Sequence, residues 1–392
     1  MKNSPIRSLI GCKWEMKKLL PEAVVLLAII LVVNYGYAQA WRQTSAPSIE
    51  APISIASSAD RRIIVAVGSA VPPDVSTNFG TDWTTNGPIY GFAVASSADG
   101  TKVLGVFIGG VFMSTNSGRT WNQTTLPRGI GGASCAASAD GAKLVVANAE
   151  TGVELIYSST NTGTTWQTND APDAGDYLSL TASADGTRLF GAGYGSYIFV
   201  STNWGQTWSQ TSATSNSWWS IASSADGRYL LATGFAGTAI SKDFGNSWTS
   251  SGITGFSAAA SADGSIMLIG GAQIYTSTNF GKSWTSTNFP GYSWRCVASS
   301  ADGCELVAVQ FDSGTIWIRQ ATPRPQMKIT PSASNLTASW ILPSTNFVLQ
   351  QSCDLQNWAD MTNQPVLNLT NLRNEVLLSP PGSHVFYRLK TP

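Results

Sequence analysis

A four-residue motif, Ser-Ala-Asp-Gly, recurs through most of the chain and constrains its fold more than any other feature. Its seven copies stand 37 to 45 residues apart, with their aspartates at Asp60, Asp99, Asp140, Asp185, Asp226, Asp263 and Asp302. Only the first copy departs from the motif, because Arg61 replaces its glycine. A fixed period of about 40 residues is typical of propellers and solenoids, in which every repeat is one supersecondary unit packed on the next.

An eight-residue motif, Ser-x-Asn-x-Gly-x-Thr/Ser-Trp, alternates with the first motif. Its six copies end at Trp83, Trp121, Trp166, Trp208, Trp248 and Trp284. Asn or Asp at the third position can accept hydrogen bonds from nearby backbone amides, Gly at the fifth permits positive φ, and Trp supplies a large apolar surface. Five of the six copies carry Asn and not a carboxylate at the third position, so we interpret the motif as a turn and not as a calcium site.

The eight-residue motif resembles the Asp-box, or BNR, repeat of sialidase-like propellers, and the match covers most of residues 41–320. Other Asp-box relatives, the photosystem II assembly factor family and the sortilin receptors, bind polypeptides without catalysis. The resemblance implies a β-propeller, and it leaves the function open between catalysis and binding. Two features depart from the family's pattern: Asn replaces the usual Asp in five copies, and Asp82 stands where Thr or Ser is usual.

Between the motifs, alternating apolar and polar residues predict four strands per repeat. Those of the fifth repeat are predicted at 221–224, 229–234, 238–240 and 248–250. The seventh repeat ends without an eight-residue motif or a fourth strand, whereas the segment that begins at Trp41 matches the fourth strands of other repeats. The sequence therefore predicts an all-β fold, a seven-bladed β-propeller over 41–320 whose N-terminal strand closes the last blade.

The repeat disappears after a Pro-rich linker at 321–326. Alternating segments within residues 327–392 predict a small C-terminal β-sandwich. The stretch from Leu349 to Trp358, together with the ending Phe386-Tyr387-Arg388-Leu389, resembles a short accessory module of exported bacterial proteins. The resemblance implies no particular role for this module.

Residues 1–40 have the features of a signal peptide. A basic start precedes an 11-residue apolar run from Ala23 to Val33, and Ala38-Gln39-Ala40 has the small-x-small pattern of a signal-peptidase site. The run is shorter than the roughly 20 residues that a membrane-spanning helix needs. We expect export to the periplasm, the cell surface or the medium, with a mature chain that starts at Trp41 and has no membrane span.

The amino-acid composition excludes several kinds of catalytic site, metal site and partner. It has a single His, His384, which excludes a Ser-His-Asp triad, a Cys-His pair or a His-ligated metal site in the repeats. Residues 41–392 carry 18 basic and 21 acidic side chains, so we do not expect a nucleic-acid partner. We expect no metal or cofactor, a monomer, and free thiols at Cys135, Cys296, Cys304 and Cys353.

The candidate site lies on the loops opposite the turns, where aromatic residues gather. The candidate ligand-binding residues are Tyr177, Trp218, Trp219, Trp294, Arg295, Asp176 and Asp312. Exposed rings with a few charges suit a binding surface for a polypeptide or a glycan, whose apolar faces can stack on them. In the alternative interpretation, the same rings only plug the channel and pack against neighbouring blades.

Two enzyme hypotheses follow from the resemblance. A sialidase needs three arginines around a carboxylate, but Arg61, Arg62, Arg188 and Arg228 lie beside the turns, on the face opposite the candidate site. A glycoside hydrolase needs two opposed carboxylates, for which Asp173 or Asp176 facing Asp312 is the pairing to test. No catalytic residue is assigned, and the leading hypothesis is an exported non-catalytic propeller that binds a protein or carbohydrate ligand.

Overall fold

The computed structural model describes residues 40–49, 51–69, 71–126, 134–148, 155–172, 178–287, 293–320, 327–332, 335–341, 347–378 and 385–390. Every regular element in these ranges is a β-strand, which confirms the all-β prediction. A helix that could cross a bilayer is absent from them. The predicted signal peptide and the linker at 321–326 lie outside the described residues, apart from Ala40.

Strand β1 (Arg42–Gln43) precedes a series of four-stranded antiparallel sheets, each built from strands that follow one another in sequence. Sheet 1 contains β2 (Pro52–Ser57), β3 (Ile64–Gly68), β4 (Asp74–Ser76) and β5 (Thr84–Thr85). Sheet 2 contains β6 (Gly91–Ser96), β7 (Val103–Phe107), β8 (Gly110–Ser114) and β9 (Asn122–Gln123). Sheet 3 contains β10 (Ser134–Ala137), β11 (Leu144–Asn148), β12 (Leu155–Ser159) and β13 (Gln167–Asp170).

The next sheets repeat this arrangement. Sheet 4 contains β14 (Leu178–Ala182), β15 (Leu189–Gly193), β16 (Ile198–Ser201) and β17 (Ser209–Gln210). Sheet 5 contains β18 (Trp218–Ser223), β19 (Leu230–Gly234), β20 (Gly237–Ser241) and β21 (Thr249–Ser251). Sheet 6 contains β22 (Ser257–Ala260), β23 (Met267–Gly270), β24 (Ile274–Ser277) and β25 (Thr285–Thr287).

Sheet 7 joins the two ends of the repeat region. Its strands β26 (Trp294–Ser299), β27 (Glu305–Gln310) and β28 (Ile316–Gln320) come from the last repeat, and its outer strand is β1. Arg42 pairs with Ile318 and Gln43 with Trp317 in antiparallel register. The pairing that the sequence predicts between the N-terminal segment and the last repeat is therefore present.

The strands differ in burial according to their place in each sheet. The second strands are almost completely buried and consist mainly of apolar residues, as in β3, β7, β15 and β23. The fourth strands are largely exposed and consist mainly of Thr, Ser, Gln and Asn. A strand that is packed on both faces carries few polar residues, because both sets of side chains are buried. The second strands therefore lie between neighbouring sheets, and the exposed fourth strands form the rim.

The first strands form a ring around a central axis. Each contacts the first strands of the two adjacent sheets, and β26 contacts β2, so the series closes on itself. Where the first strands end, the alanines of the seven Ser-Ala-Asp-Gly motifs form a circle of backbone hydrogen bonds, each amide donating to the next carbonyl at 2.7 to 2.8 Å. We call Ala59, Ala98, Ala139, Ala184, Ala225, Ala262 and Ala301 the alanine ring.

The Ser-Ala-Asp-Gly turn satisfies its polar groups locally. In the second copy, the Ser97 hydroxyl donates to Asp99 at 2.6 Å, and Asp99 accepts the Thr101 amide at 3.0 Å. Gly100 has φ of +72°, a left-handed conformation that Arg61 adopts at +56° in the first copy. Arg61 is buried and its Nε donates to Glu305 at 2.7 Å, so the one departure from the motif links sheet 1 to sheet 7.

The eight-residue motif is also a turn. Asn116 Oδ1 accepts the Thr120 amide at 2.9 Å, while its Nδ2 donates to the Thr120 hydroxyl at 2.8 Å. Where Asp243 replaces Asn, the Ser247 hydroxyl donates to the carboxylate instead. Asp82 is accommodated because the side-chain Nδ2 of Asn78 donates a hydrogen bond to its carboxylate at 2.7 Å. Either side chain can therefore build the turn, as the sequence indicated.

Two further sheets follow the ring. One contains β29 (Lys328–Ser332), β30 (Asn335–Ile341), β33 (Val366–Asn368) and β34 (Arg373–Leu378), and the other contains β31 (Val348–Ser352), β32 (Ala359–Asp360) and β35 (Phe386–Lys390). Trp340 and Val376 of the first sheet share an apolar cluster with Leu349 and Tyr387 of the second. A separate cluster packs Ile341, Leu367 and Leu372 against four members of the alanine ring, Ala59, Ala98, Ala262 and Ala301.

Candidate ligand-binding site

The axis of the ring has two different ends because successive strands alternate in direction. The Ser-Ala-Asp-Gly turns and the eight-residue motifs lie at one end, which we call the turn end. The loops between second and third strands and the connections between sheets lie at the other, which we call the mouth. The C-terminal sheets pack on the alanine ring at the turn end, so the mouth is the candidate end for a ligand site.

A cavity of about 510 Å³ lies within the ring and is lined by residues of the first strands. Five serines there each accept a backbone amide of the next sheet at 3.0 to 3.3 Å, and these are Ser54, Ser134, Ser179, Ser220 and Ser257. Their hydroxyl oxygens therefore already serve to join the sheets. One charged side chain, Arg295, is found among the described residues that line this cavity.

Four aromatic rings at the mouth form a chain of contacts that we call the mouth cluster: Tyr194, Trp219, Phe256 and Phe311. The centroid distances are 5.2 Å for Tyr194 to Trp219, 6.3 Å for Trp219 to Phe256 and 6.5 Å for Phe256 to Phe311. These distances suit edge-to-face and offset contacts between rings. The cluster therefore spans four consecutive sheets with partly exposed aromatic surface.

The guanidinium of Arg295 lies next to the rings of two members of this cluster. Its central carbon is 5.8 Å from the ring centroid of Phe256 and 5.7 Å from that of Phe311. Such contacts hold a cation against aromatic faces. Within the described residues, no carboxylate lies within ion-pair distance of Arg295.

An apolar groove of about 400 Å³ adjoins the cavity on the far side of Trp219 and Phe256. Gly234, Gly255 and Gly271 line the groove together with Phe235 and Phe311. A Cβ at Gly255 would come within 2.3 Å of Ile269, so glycine allows the connection between sheets 5 and 6 to approach its neighbours. Phe235 is 78% exposed at the edge of the groove.

Comparison with known proteins gives structural matches alone. No family model and no curated protein matches the chain. The structure of YCF48 from Cyanidioschyzon merolae is similar with a TM-score of 0.56 and 16% identity, covering 72% of this chain and 98% of that one. The structure titled YCF48 bound to D1 peptide has a TM-score of 0.55 and 16% identity, covering 75% and 100%. This chain folds as a β-propeller.

Two of the candidate residues do not lie where the sequence suggested. Trp218 and Trp294 were expected as exposed loop rings of the propeller, but they are 2% and 0% exposed. They are the first residues of β18 and β26, and β18 begins three residues before its predicted start at 221. Trp218 and Trp294 belong to apolar core clusters. The next residues, Trp219 and Arg295, fall at register shifts in the pairing of β18 with β19 and of β26 with β27, and they line the cavity.

Of the other candidate ligand-binding residues, one lies within the described residues and two lie outside them. Asp312 is exposed in the loop that follows β27, directly after Phe311. Asp176 and Tyr177 lie outside the described residues, as does Asp173. The pairing of carboxylates that a glycoside hydrolase would need therefore has one described member.

Sequence reasoning missed Tyr194, Phe235, Phe256 and Phe311. A signal for three of them exists in the residues nine positions after the seven turn aspartates, which in repeats 1, 2, 4, 5 and 7 directly follow the second strand. Those residues are Ser69, Ile108, Ala149, Tyr194, Phe235, Ala272 and Phe311. Large side chains at this position indicate which blades project rings at the mouth.

The titratable groups in and near the cavity do not favour nucleophilic chemistry. Burial raises the pKa of the Cys296 thiol to about 12, with Arg295 acting in the opposite direction, and burial also raises the pKa of Cys135. A thiol whose pKa is raised in this way remains protonated and weakly reactive. Over the part of the chain that the structure describes, His, Cys, Asp and Glu side chains form no group of three that could hold a metal ion.

Proposed function

We propose that this protein is an exported, non-catalytic, seven-bladed propeller that binds a polypeptide at its mouth. The observation that carries the proposal is the mouth cluster, in which Tyr194, Trp219, Phe256 and Phe311 present partly exposed rings around Arg295. Export rests on residues 1–40, and the proposed organisation is an Asp-box propeller over 41–320 with a C-terminal β-sandwich over 327–392. We propose that it acts as a monomer.

The distribution of exposed apolar side chains supports a binding role for the mouth. Phe79 is exposed at the turn end. Eight other large apolar side chains of the described repeat region are exposed on the mouth side, and these are Ile89, Tyr90, Ile108, Tyr194, Tyr197, Phe235, Phe256 and Phe311. Exposed apolar residues concentrated on one face mark an interaction surface, since isolated ones would be scattered.

A polypeptide fits this surface better than a sugar does. The groove beside the cluster is lined by apolar and small residues, with Ser293 and Thr254 as its polar side chains. Glycan recognition depends on many hydrogen bonds, whereas peptide side chains can bury apolar area in such a groove. A structure of the same fold, YCF48, is titled as bound to D1 peptide, which gives a precedent for peptide binding by a propeller.

The test is to probe the purified protein against an array of capped random dodecapeptides and against a glycan array. Wild-type protein should bind a subset of the peptides. The double variant Phe235→Ala/Phe311→Ala should weaken that binding by more than tenfold, because rings at the centre of an interface carry most of the affinity. Phe79→Ala, which removes an exposed ring at the turn end, is the matched control.

Two outcomes would contradict the proposal. Binding that is confined to glycans, or peptide binding that falls equally in the control and in the mouth variant, would place recognition elsewhere. Hydrolysis of a β-glucan or sialoside that is lost in Asp312→Asn would replace the non-catalytic proposal with the glycoside hydrolase hypothesis.

A further inference from the structure

Arg295 makes no ion pair with any described residue, and it is the one charged side chain among the described residues that line the cavity and the groove. It is half-buried between the cavity and the rings of Phe256 and Phe311, and no described carboxylate approaches it. The described residues that line the cavity and the groove include no second charge. A partly desolvated guanidinium gains most when an anion from outside completes its hydrogen bonds.

The apolar groove lies next to the guanidinium of Arg295. Phe256 and Phe311 flank Arg295 and also line the groove, so one ligand can reach both features at once. Trp219 and Phe235 extend the same apolar surface away from the charge. The two features are therefore neighbours within the reach of adjacent or next-but-one side chains of a peptide.

We propose that the mouth recognises a peptide segment in which a carboxylate side chain lies one or two residues from a large apolar side chain. The carboxylate pairs with Arg295 and the apolar side chain enters the groove. This inference rests on the proposed function and specifies its ligand class. A single planar guanidinium matches one carboxylate in a bidentate pair, whereas a phosphate dianion would leave charge unbalanced among aromatic walls.

The experiment uses two sets of capped hexapeptides, Gly-Ser-X-Z-Ser-Gly and Gly-Ser-X-Ser-Z-Gly. X is Phe, Trp, Leu or Ala, and Z is Glu, Gln or Lys. For wild-type protein, Glu at Z should bind about tenfold more tightly than Gln, since a hydrogen bond to a charged group is stronger than its neutral counterpart. A large X should bind more tightly than Ala.

Variants of the protein separate the two contacts. Arg295→Gln should abolish the preference for Glu over Gln while the preference for a large X remains. Arg295→Lys should restore only part of it, because an ammonium cannot form the bidentate pair. Arg42→Gln removes an exposed arginine of β1 and should change neither preference.

The outcomes distinguish this inference from the proposed function. Equal binding of Glu and Gln peptides by wild-type protein, with the preference for a large X intact, would overturn the carboxylate and leave peptide binding in place. A Glu preference that survives in Arg295→Gln would also overturn it. Failure of every hexapeptide to bind, while dodecapeptides from the array do bind, would overturn the inference alone. Failure of both the hexapeptides and the dodecapeptides would overturn the proposed function as well.

Discussion

The two ends of the propeller axis are built on opposite principles. At the turn end, the seven repeats place the same residues of the motif in the same positions, with Arg61 as the one exception, and the alanine ring joins them through backbone hydrogen bonds. At the mouth, equivalent positions differ from blade to blade, as with Phe311, Ala272 and Phe235, each of which stands nine residues after its turn aspartate. Uniform positions therefore hold the ring together, and variable positions are available for recognition.

The hydrogen bonding of polar side chains also differs between the turn end and the mouth. Every Ser-Ala-Asp-Gly turn has its serine hydroxyl bonded to its aspartate at 2.6 to 2.9 Å. By contrast, Arg295 at the mouth has aromatic contacts and no ion pair within the described residues. Substitutions at the turn end should therefore change stability, and substitutions at the mouth should change affinity.

Opening the ring should have the largest effect, because it removes the framework that both ends share. A chain that starts at Ser48 lacks β1 and Trp41, which is buried against Trp294 with ring centroids 6.4 Å apart. Loss of a buried Trp alone costs about 3–5 kcal/mol, and β28 becomes an edge strand. Compared with a chain that starts at Trp41, its free energy of unfolding in urea should fall by more than about 4 kcal/mol.

The control for this truncation is Arg42→Ala, which keeps the strand and alters an exposed side chain. It should shift the free energy of unfolding by less than about 0.5 kcal/mol. An unchanged urea midpoint in the truncated chain would show that the pairing of β1 with β28 is dispensable.

Two tryptophans near the start of first strands should differ in their effect on stability, because one is in the core and the other lines the cavity. Trp294→Ala should lower the free energy of unfolding by about 3–5 kcal/mol, because this ring is fully buried beside Trp41 and Trp317. Trp219→Ala should lower it by less than about 1 kcal/mol, because Trp219 lines the cavity. Thermal denaturation of both variants checks this, and equal losses would remove the distinction between core and mouth rings.

The ion pair at the turn end should have a somewhat smaller effect. Glu305→Gln leaves Arg61 buried with no opposite charge and should lower the free energy of unfolding by about 3 kcal/mol. The double variant Arg61→Gly/Glu305→Gln restores the motif's glycine and removes both charges. It should regain part of the free energy of unfolding that Glu305→Gln loses. Urea denaturation of the three proteins measures this, and a double variant less stable than Glu305→Gln would refute it.

The turn aspartates should show the smallest effect, through pH. Burial alone would raise the pKa of Asp99, but hydrogen bonds from Ser97 and Thr101 and the charge of Lys102 outweigh it and lower that pKa. A lowered folded pKa stabilises the protein above the unfolded pKa of about 3.9, and the gain is lost as pH falls through the folded value. Asp99→Asn should cost about 1 kcal/mol at pH 7, and this cost should shrink as pH falls through the lowered pKa of Asp99.

Asp302 provides the matched contrast in the last repeat. Burial raises its pKa, and the neighbouring Ala301 packs against Ile341 of the C-terminal sheets. A raised folded pKa opposes folding once pH exceeds the unfolded value, so Asp302→Asn should not destabilise the protein at pH 7. Urea midpoints from pH 2 to pH 7 compare the two variants, and identical profiles would show that burial of the last turn is without effect.

The ring could be predicted from sequence because its chemistry is local. Asp99, Gly100 and Asn116 indicate turns through hydrogen bonds and φ angles that involve a few neighbouring residues. The mouth could be predicted only in part. Trp219 and Arg295 were named, but strand β18 begins at Trp218, three residues before its predicted start. A register shift between Trp218 and Ser220, which the repeat pattern does not reveal, accompanies the placement of Trp219 at the cavity. The contact of Arg295 with Phe311 also depends on distances between loops, which a repeat pattern does not contain.

Hydrogen–deuterium exchange of the purified protein with the tightest peptide from the dodecapeptide array tests the central claim most directly. We expect slower exchange in the segments that contain Trp219, Phe256, Arg295 and Phe311, and unchanged exchange at the Ser-Ala-Asp-Gly turns. Protection confined to the turns, or to the C-terminal sheets around Ile341, would contradict the assignment of recognition to the mouth.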